Sequence, residues 1–429
     1  MRARKQKNEK SAYLGAALFT GGLLLLALAL WQIVRASENG AGAGVIVLIV
    51  MELLAAGAAL YFGVTMAFVK RDTQSEPFAS QTQEAMRRLR EEKRLLRGPR
   101  VVAIGGGTGL PSLLRGLKRY TSNITAVVTV ADNGGGTGRL RHDMGIIAPG
   151  DIRNCILALA EAEPILHKLF AYRFHEGELQ GQNFGNIYLA AMSEVSGGFM
   201  EAVRHTSNVL AVKGQVLPVT LESVELCAEL CDGSRVLGES QIPNAAKHRR
   251  TGIERLYLDH ECTAMPDVIE AIRQADLIVF GPGSLYTSVI ANLLVGGVAD
   301  AVRKSRACKV AVCNIMTQAG ETDGYTLRDH AAALIKHAGR GCVTNIVYNN
   351  DQQVDNETLA RYAAEGSYMV KNDVRACDKI GVRPFGYDVL RIHDGHVRHD
   401  SAALGAAVMD VYRQTRFTDS MILRRKPKA

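Results

Sequence analysis

RVVAIGGGTGLPSLLRGLKRYTSNITAVVTV, residues 100–130, is the stretch whose reading decides the fold. It opens with a short apolar, β-branched run, RVVAI (100–104), which enters a glycine turn. Leu113, Leu114 and Leu117 then recur at helical spacing across 110–120, and ITAVVTV (124–130) follows as a second buried strand. Strand, glycine turn, helix and strand make a βαβ start to a doubly wound parallel sheet. Later runs, DLIVF (276–280), KVAVC (309–313) and VTNIV (343–347), alternate with helical segments and are continuously apolar, as strands covered on both faces are. No linker-like break follows Arg100, so 101–429 reads as one large α/β domain with a small β excursion near 214–239.

N-terminal to this domain the chain changes character. Ser11 to Val34 runs 24 residues without a charge, enough to cross a hydrocarbon layer as a helix, and a second apolar run from Gly44 to Val69 is broken only by Glu52. A cleaved signal peptide has a shorter apolar core and a small-residue cleavage site. Residues 1–71 therefore read as a transmembrane hairpin. Arg2, Arg4, Lys5, Lys7 and Lys10 precede the first span, Lys70 and Arg71 follow the second, and Arg35 is the sole cation between them. This asymmetry expects both termini and the α/β domain in the cytoplasm, with the chain a multi-pass protein of the cell membrane. Glu52 reads either as a functional carboxylate or as a group reaching headgroups and water. Residues 72–100 form a polar juxtamembrane linker with a helix expected over Gln81–Arg97 and a break at Gly98-Pro99.

Of 429 residues, 47% are hydrophobic, which excludes disorder. The formal charge of +8 is uneven: residues 1–100 hold 15 Lys/Arg against 8 Asp/Glu, leaving 36 against 35 for the rest. A near-neutral soluble part offers no general footprint for a phosphate backbone, so no nucleic-acid partner is expected. Eight scattered cysteines lack any C-x-x-C pair and suit a reducing compartment; Cys227 and Cys231 are read as structural rather than as half of a metal site.

Gly105, Gly106, Gly107 and Gly109 let a backbone approach where a side chain would collide, and the helix behind them presents free N–H groups to a phosphate. No Gly-Lys-Ser/Thr follows, and the spacing also departs from G-x-G-x-x-G. Asp132 lies 23 residues beyond Gly109, near the place of a ribose-binding acid, although a carboxylate there could equally hold Mg²⁺ or act as a base. GGGTGRLR (134–141) reads as a second flexible loop, its Arg139 and Arg141 suited to phosphates or to salt bridges, and Asp151 reads as a helix cap or a ligand group. FGPGSLYTSVIANLL (280–294) repeats strand, glycine turn and helix, with Ser284, Tyr286 and Thr287 placed to donate hydrogen bonds. CNIMTQAGETDGYTLRDH (313–330) adds a third polar loop after a strand. No Ser/His/Asp or Cys/His arrangement has a definable role, and His142, His260 and His330 read as structural or surface groups.

The motifs GGGTGLPSLLRGLK, GPGSLYTS and NIMTQAGETDGY resemble those of the bacterial gluconeogenesis factors of the YvcK type, in the CofD-like superfamily with 2-phospho-L-lactate transferase. The resemblance covers about 101–410 and leaves out the hairpin. It implies a three-layer α/β/α Rossmann-like domain that binds UDP-sugars, notably UDP-N-acetylglucosamine, in a regulator of carbon metabolism, cell shape and wall synthesis. It also implies a protein partner of unknown identity and a homo-oligomer. Carried over by motif, Gly105, Gly106, Gly107, Thr108, Gly109, Asp132, Asn133, Asn183, Asn186, Gly281, Gly283, Ser284, Thr287 and Asn314 would surround the ligand, with Tyr362 near the sugar. Asn133 stands where a second Asp is commoner, and Gln182 where a His is commoner, which favours nucleotide binding over metal-dependent catalysis. The enzymatic alternative is an Mg²⁺-dependent phospholactyl-type transferase.

Overall fold

Val101–Gly105 (β1) and Ile124–Val128 (β2) form because every residue in them is apolar or small and buried on both faces. The computed structural model describes residues 2–39, 43–72, 86–87, 89–351 and 353–425, which divide into two units, Met1–Glu91 and Glu92–Ala429.

The first unit pairs α1 (Arg2–Asn39) with α2 (Ala43–Asp72), and each holds a segment long and apolar enough to cross a membrane, Ala17–Arg35 and Val45–Phe62. Small residues let the two backbones approach. A Cβ on Gly22 would come within 2.9 Å of Leu60 Cγ and 3.2 Å of the Ala56 oxygen, while Ala29 and Ala56 are buried. Glu52 resolves toward its neighbour: its Oε1 accepts from Gln32 Nε2 at 3.3 Å, a polar clamp between the helices. Of the helix expected over 81–97, residues 81–85 and 88 lie outside the described residues; 86–87 and 89–96 are helical.

The second unit is built on seven parallel strands in the order β10-β9-β8-β7-β1-β2-β3. Beyond β2 come β3 (Gln215–Pro218), the antiparallel trio β4 (Leu226–Leu230), β5 (Arg235–Leu237) and β6 (Ile253–Leu258), then β7 (Leu277–Phe280), β8 (Cys308–Val312), β9 (Asn345–Asn349) and β10 (Arg383–Tyr387). A hairpin of β11 (Leu390–His393) and β12 (His396–His399) follows. From β1 the chain moves outward through β2 and β3, then returns to β7 on the other side of β1 and moves outward again. Val101 is therefore registered to Ile124 on one side and Leu277 on the other. Connections leaving β1 and β7 diverge, which opens a crevice at their carboxyl ends.

Three expectations need correction. The excursion near 214–239 begins later and runs further: β3 belongs to the main sheet, and the separate antiparallel sheet is β5-β4-β6, ending at Leu258. The loop expected at 134–141 is instead helical over Gly135–Met144, because Gly136 and Gly138 pack against Gln182 and the Asn133 carbonyl where a Cβ would collide, so tertiary packing overrides poor helix propensity. β10 was not anticipated, since Pro384 and Gly386 weaken a strand signal, and it is accordingly an edge strand paired only with β9.

Helices cover the sheet. α3 (Gly109–Leu117) buries Leu110, Leu113, Leu114 and Leu117, and α4 (Gly135–Met144), α5 (Pro149–Leu159), α6 (Phe184–Ser196), α7 (Leu327–Ala338), α8 (Asn356–Ala364) and α9 (Ser401–Arg425) follow in chain order. Gly116 of α3 and Gly405 of α9 meet backbone to backbone. All eight cysteines are free thiols and six are buried.

Candidate functional site

Both glycine turns sit at the crevice between β1 and β7. Gly107 adopts φ +62, a left-handed conformation that a side chain rarely accepts, and Gly109 lies so close to the opposite turn that a Cβ would stand 2.6 Å from Pro282 C and 2.8 Å from Gly283 N. The turns are further tied by the Gly281 N–H donating to the Ile104 carbonyl at 2.9 Å. Asn314, just after β8, clasps the second turn with its amide: Nδ2 donates to Gly283 O at 2.9 Å and Oδ1 faces Gly283 N at 3.5 Å. Gln318 Nε2 donates to Ser284 Oγ at 2.8 Å.

These turns floor a cleft that opens to solvent and has a cavity volume of about 230 Å³. Gly107, Thr108, Gly109, Gly283, Ser284, Asn314 and Tyr362 line it, seven of the positions expected from sequence. Its outer wall comes from Ile315 and Met316 after β8, from α8, and from Val397, Arg398 and His399 of β12. The Tyr362 hydroxyl accepts from the Val397 N–H at 2.9 Å, so this ring ties α8 to the hairpin. Burial pushes His399 down to about 4, which leaves it neutral at pH 7, with Arg398 as the cation at the wall. Sequence reading missed Gln318, Arg398 and His399; Gln318 lay inside a quoted motif, whereas Arg398 and His399 carried no local signal.

The other expected residues lie elsewhere. Gly105, Gly106 and Gly281 do not line the cleft; a Cβ on Gly106 would meet Asp151 Oδ2 at 2.6 Å and Thr129 Cγ2 at 2.7 Å. Asn183, 2% exposed, caps α6 by accepting from Asn186 N, and Asn186 receives Arg153 Nη1 at 2.9 Å. Asn133 joins β2 to the antiparallel sheet through Glu225 and the Ser240 N–H, and Arg141 likewise binds Val224 O and faces Glu225 at 3.4 Å. Tyr286 is buried with its hydroxyl 2.6 Å from that of Tyr325.

On the β2 side of the first turn the character is acidic. Asp151 does not cap its own helix: its Oδ2 accepts from the Gly107 N–H at 2.6 Å. Burial is the main cause of its rise to about 6, partly offset by that hydrogen bond and reinforced by the Asp132 charge. Burial also raises Asp132, whose Oδ1 accepts from Gly134 N at 2.8 Å. Glu239 and Glu321, both missed from sequence, are pushed up to about 7, chiefly by burial.

A parallel doubly wound sheet with two glycine turns closing on its switch point defines a Rossmann-like α/β protein. The chain belongs to the CofD family, whose profile, described as 2-phospho-L-lactate transferase CofD, matches residues 101–390. It is similar to the gluconeogenesis factor of Halalkalibacterium halodurans, 44% identical over 312 residues (72% of this chain, 95% of that protein). The gluconeogenesis factor of Bacillus subtilis is 42% identical over 318 residues (74% of this chain, 99% of that protein). A crystal structure of a UPF0052 family member from Bacillus halodurans, 43% identical, aligns with a TM-score of 0.69 and covers 73% of this chain and 99% of that chain. The residues matched by the family profile, 101–390, lie within the second unit.

Proposed function

We propose that this chain is a membrane-tethered gluconeogenesis factor whose cytoplasmic domain binds a UDP-sugar, UDP-N-acetylglucosamine, and responds to it as a regulator of carbon metabolism, cell shape and wall synthesis. The observation that supports this most is the meeting of the two glycine turns at the switch point, beside a cleft open to solvent. Main-chain amides at the start of α3 suit a diphosphate, and the mixed wall of Tyr362, Met316 and Arg398 suits a base or sugar. The two apolar helices supply the tether, with cation placement favouring cytoplasmic ends.

Mg²⁺ is proposed to arrive with the ligand's diphosphate. Among the described residues no three His, Cys, Asp or Glu side chains are grouped to hold a metal, and Mg²⁺ commonly joins phosphates to few protein groups. The alternative, a phospholactyl-type transferase, draws on the family description and on the raised carboxyl of Asp151 beside the first turn. Incubating the protein with a deazaflavin acceptor and a phospholactyl donor, followed by mass spectrometry, separates the two: no product supports the regulator, and product formation rejects it. Native mass spectrometry of protein purified without added ligand adds a second check, a retained mass matching a nucleotide sugar.

A further inference from the structure

Two stretches far apart in sequence flank the sheet domain with unbalanced cations. Residues 92–100 hold Lys93, Arg94, Arg97 and Arg100 against Glu92, and residues 413–429 hold six Lys/Arg against Asp419. Between them, residues 101–412 carry 30 basic and 34 acidic groups, so the body of the domain is slightly negative and the positive charge lies on its flanks.

The fold brings these flanks to one edge. The end of the linker is fastened to the turn between α3 and β2: the Ser122 N–H donates to Leu95 O at 3.1 Å, and Asn123 Nδ2 donates to Leu96 O at 2.9 Å and to Gly98 O at 2.8 Å. Arg94 Nη2 reaches Arg119 O in the same turn at 3.4 Å. α9 arrives there as well, with the Arg413 guanidinium 5.9 Å from the centre of the Tyr120 ring. Thr415 lines a hollow with Arg306 and with Cys308, the first residue of β8. This is the edge at which β1, β2 and β8 begin, whereas the glycine turns and the cleft stand at the carboxyl ends of the strands.

Lys93, Arg94, Arg97, Arg119, Arg413 and Arg416 are all exposed at this edge. Asp276, an acid beside them, is engaged by Arg100 at 3.3 Å. Large apolar side chains are interleaved with the cations: Leu96 is 58% exposed and Phe417 66%. Past Phe417 the sequence runs TDSMILRRKPKA, which sets Met421, Ile422 and Leu423 directly before Arg424, Arg425, Lys426 and Lys428. A nucleic acid would take the cations and leave the apolar side chains in water. A lipid interface takes both, the apolar groups at the acyl boundary and the Lys/Arg heads at anionic headgroups. The chain that enters this edge also comes from the second apolar helix.

We propose that the amino-terminal edge of the sheet, formed by the end of the linker, the α3–β2 turn and the basic continuation of α9, is a docking surface for anionic lipid headgroups. It holds the domain against the bilayer with the cleft turned away from it, open to the ligand. The inference is independent of the UDP-sugar reading and rests only on the tether part of the proposed function.

The test reconstitutes the full-length protein in nanodiscs of phosphatidylcholine alone and of equal parts phosphatidylcholine and phosphatidylglycerol, and follows amide hydrogen exchange by mass spectrometry. Each cation at an anionic surface is worth roughly a fivefold bias toward contact. Exchange across 92–97 and 413–429 should therefore slow by about tenfold or more in the anionic discs, and high salt should return it to the neutral-disc rate. A variant combining Arg424→Gln, Arg425→Gln, Lys426→Gln and Lys428→Gln should lose the slowing across 413–429. Its Tm should match wild type, since α9 packs into the core through Leu404, Val408, Val411 and Tyr412. Equal exchange in the two discs overturns the proposal. Slowing by an added oligonucleotide in neutral discs, with none from phosphatidylglycerol, also overturns it and makes nucleic acid the partner. Protein that enters neither disc rejects the tether instead; its cosedimentation with phosphatidylglycerol vesicles would still uphold the docking surface, and failure to cosediment would overturn it.

Discussion

Replacing Gly109 by Ala probes the contact on which the cleft depends. The added Cβ would sit 2.6 Å from Pro282 C and 2.8 Å from Gly283 N, whereas non-bonded carbon contacts settle near 3.5–4 Å. Both neighbours are backbone, so neither can rotate away, and the turns must part by roughly 1 Å. Overpacking of this kind costs about 1–3 kcal/mol of stability. A diphosphate held by amides at about 2.7–3.2 Å loses at least one charge-assisted hydrogen bond when the turn that carries it moves that far. At about 1.5–3 kcal/mol for such a bond, affinity for UDP-N-acetylglucosamine should fall about 10- to 150-fold. Titration calorimetry and thermal melts read both numbers, with Gly252→Ala as a control, since its Cβ would make only an ordinary 3.6 Å contact with Cys231 Sγ. A Gly109→Ala protein with wild-type melting and affinity would show that the two turns are not held in backbone contact.

Further outcomes follow from the same geometry. Asn314→Ala removes the amide that grips Gly283 and should weaken UDP-sugar binding about tenfold while leaving the sheet intact, measurable by calorimetry alongside circular dichroism. Asp151→Asn retains an acceptor for the Gly107 N–H but has no proton to lose. Because the native Asp151 holds its proton up to about 6, wild type should lose stability relative to this variant as pH rises from 4 to 6, by roughly 3 kcal/mol at most, and denaturant titrations showing a constant gap would refute the burial argument. Full-length protein should sediment with membranes and leave them with detergent rather than with high salt; recovery in the soluble fraction would reject the two spans.

The sheet was legible because its strands are buried on both faces, and continuous apolar runs such as VVAI (101–104) and LIVF (277–280) announce that state directly. Where local signals and packing disagreed, sequence reading went astray. Three glycines in a row at 134–136 suggest a flexible loop, yet α4 exists because Gly136 and Gly138 admit close neighbours. β10 contains Pro384 and Gly386, tolerated only because it is the edge. At the cleft, residues contributed by the glycine turns themselves could be named in advance, since a turn after a parallel strand has a fixed place on the fold. Arg398 and His399 could not, because they arrive on a hairpin with no motif of its own. Asn133, Asn183 and Asn186 show the opposite case: polar residues whose hydrogen bonds are given to the scaffold.

Titration calorimetry of UDP-N-acetylglucosamine into residues 92–429, a compact unit of its own, measures the ligand directly. Saturable heat with one nucleotide sugar per chain, lost in Gly109→Ala, is the predicted result. No heat with UDP-N-acetylglucosamine, together with clear heat from a guanosine nucleotide and Mg²⁺, would contradict it.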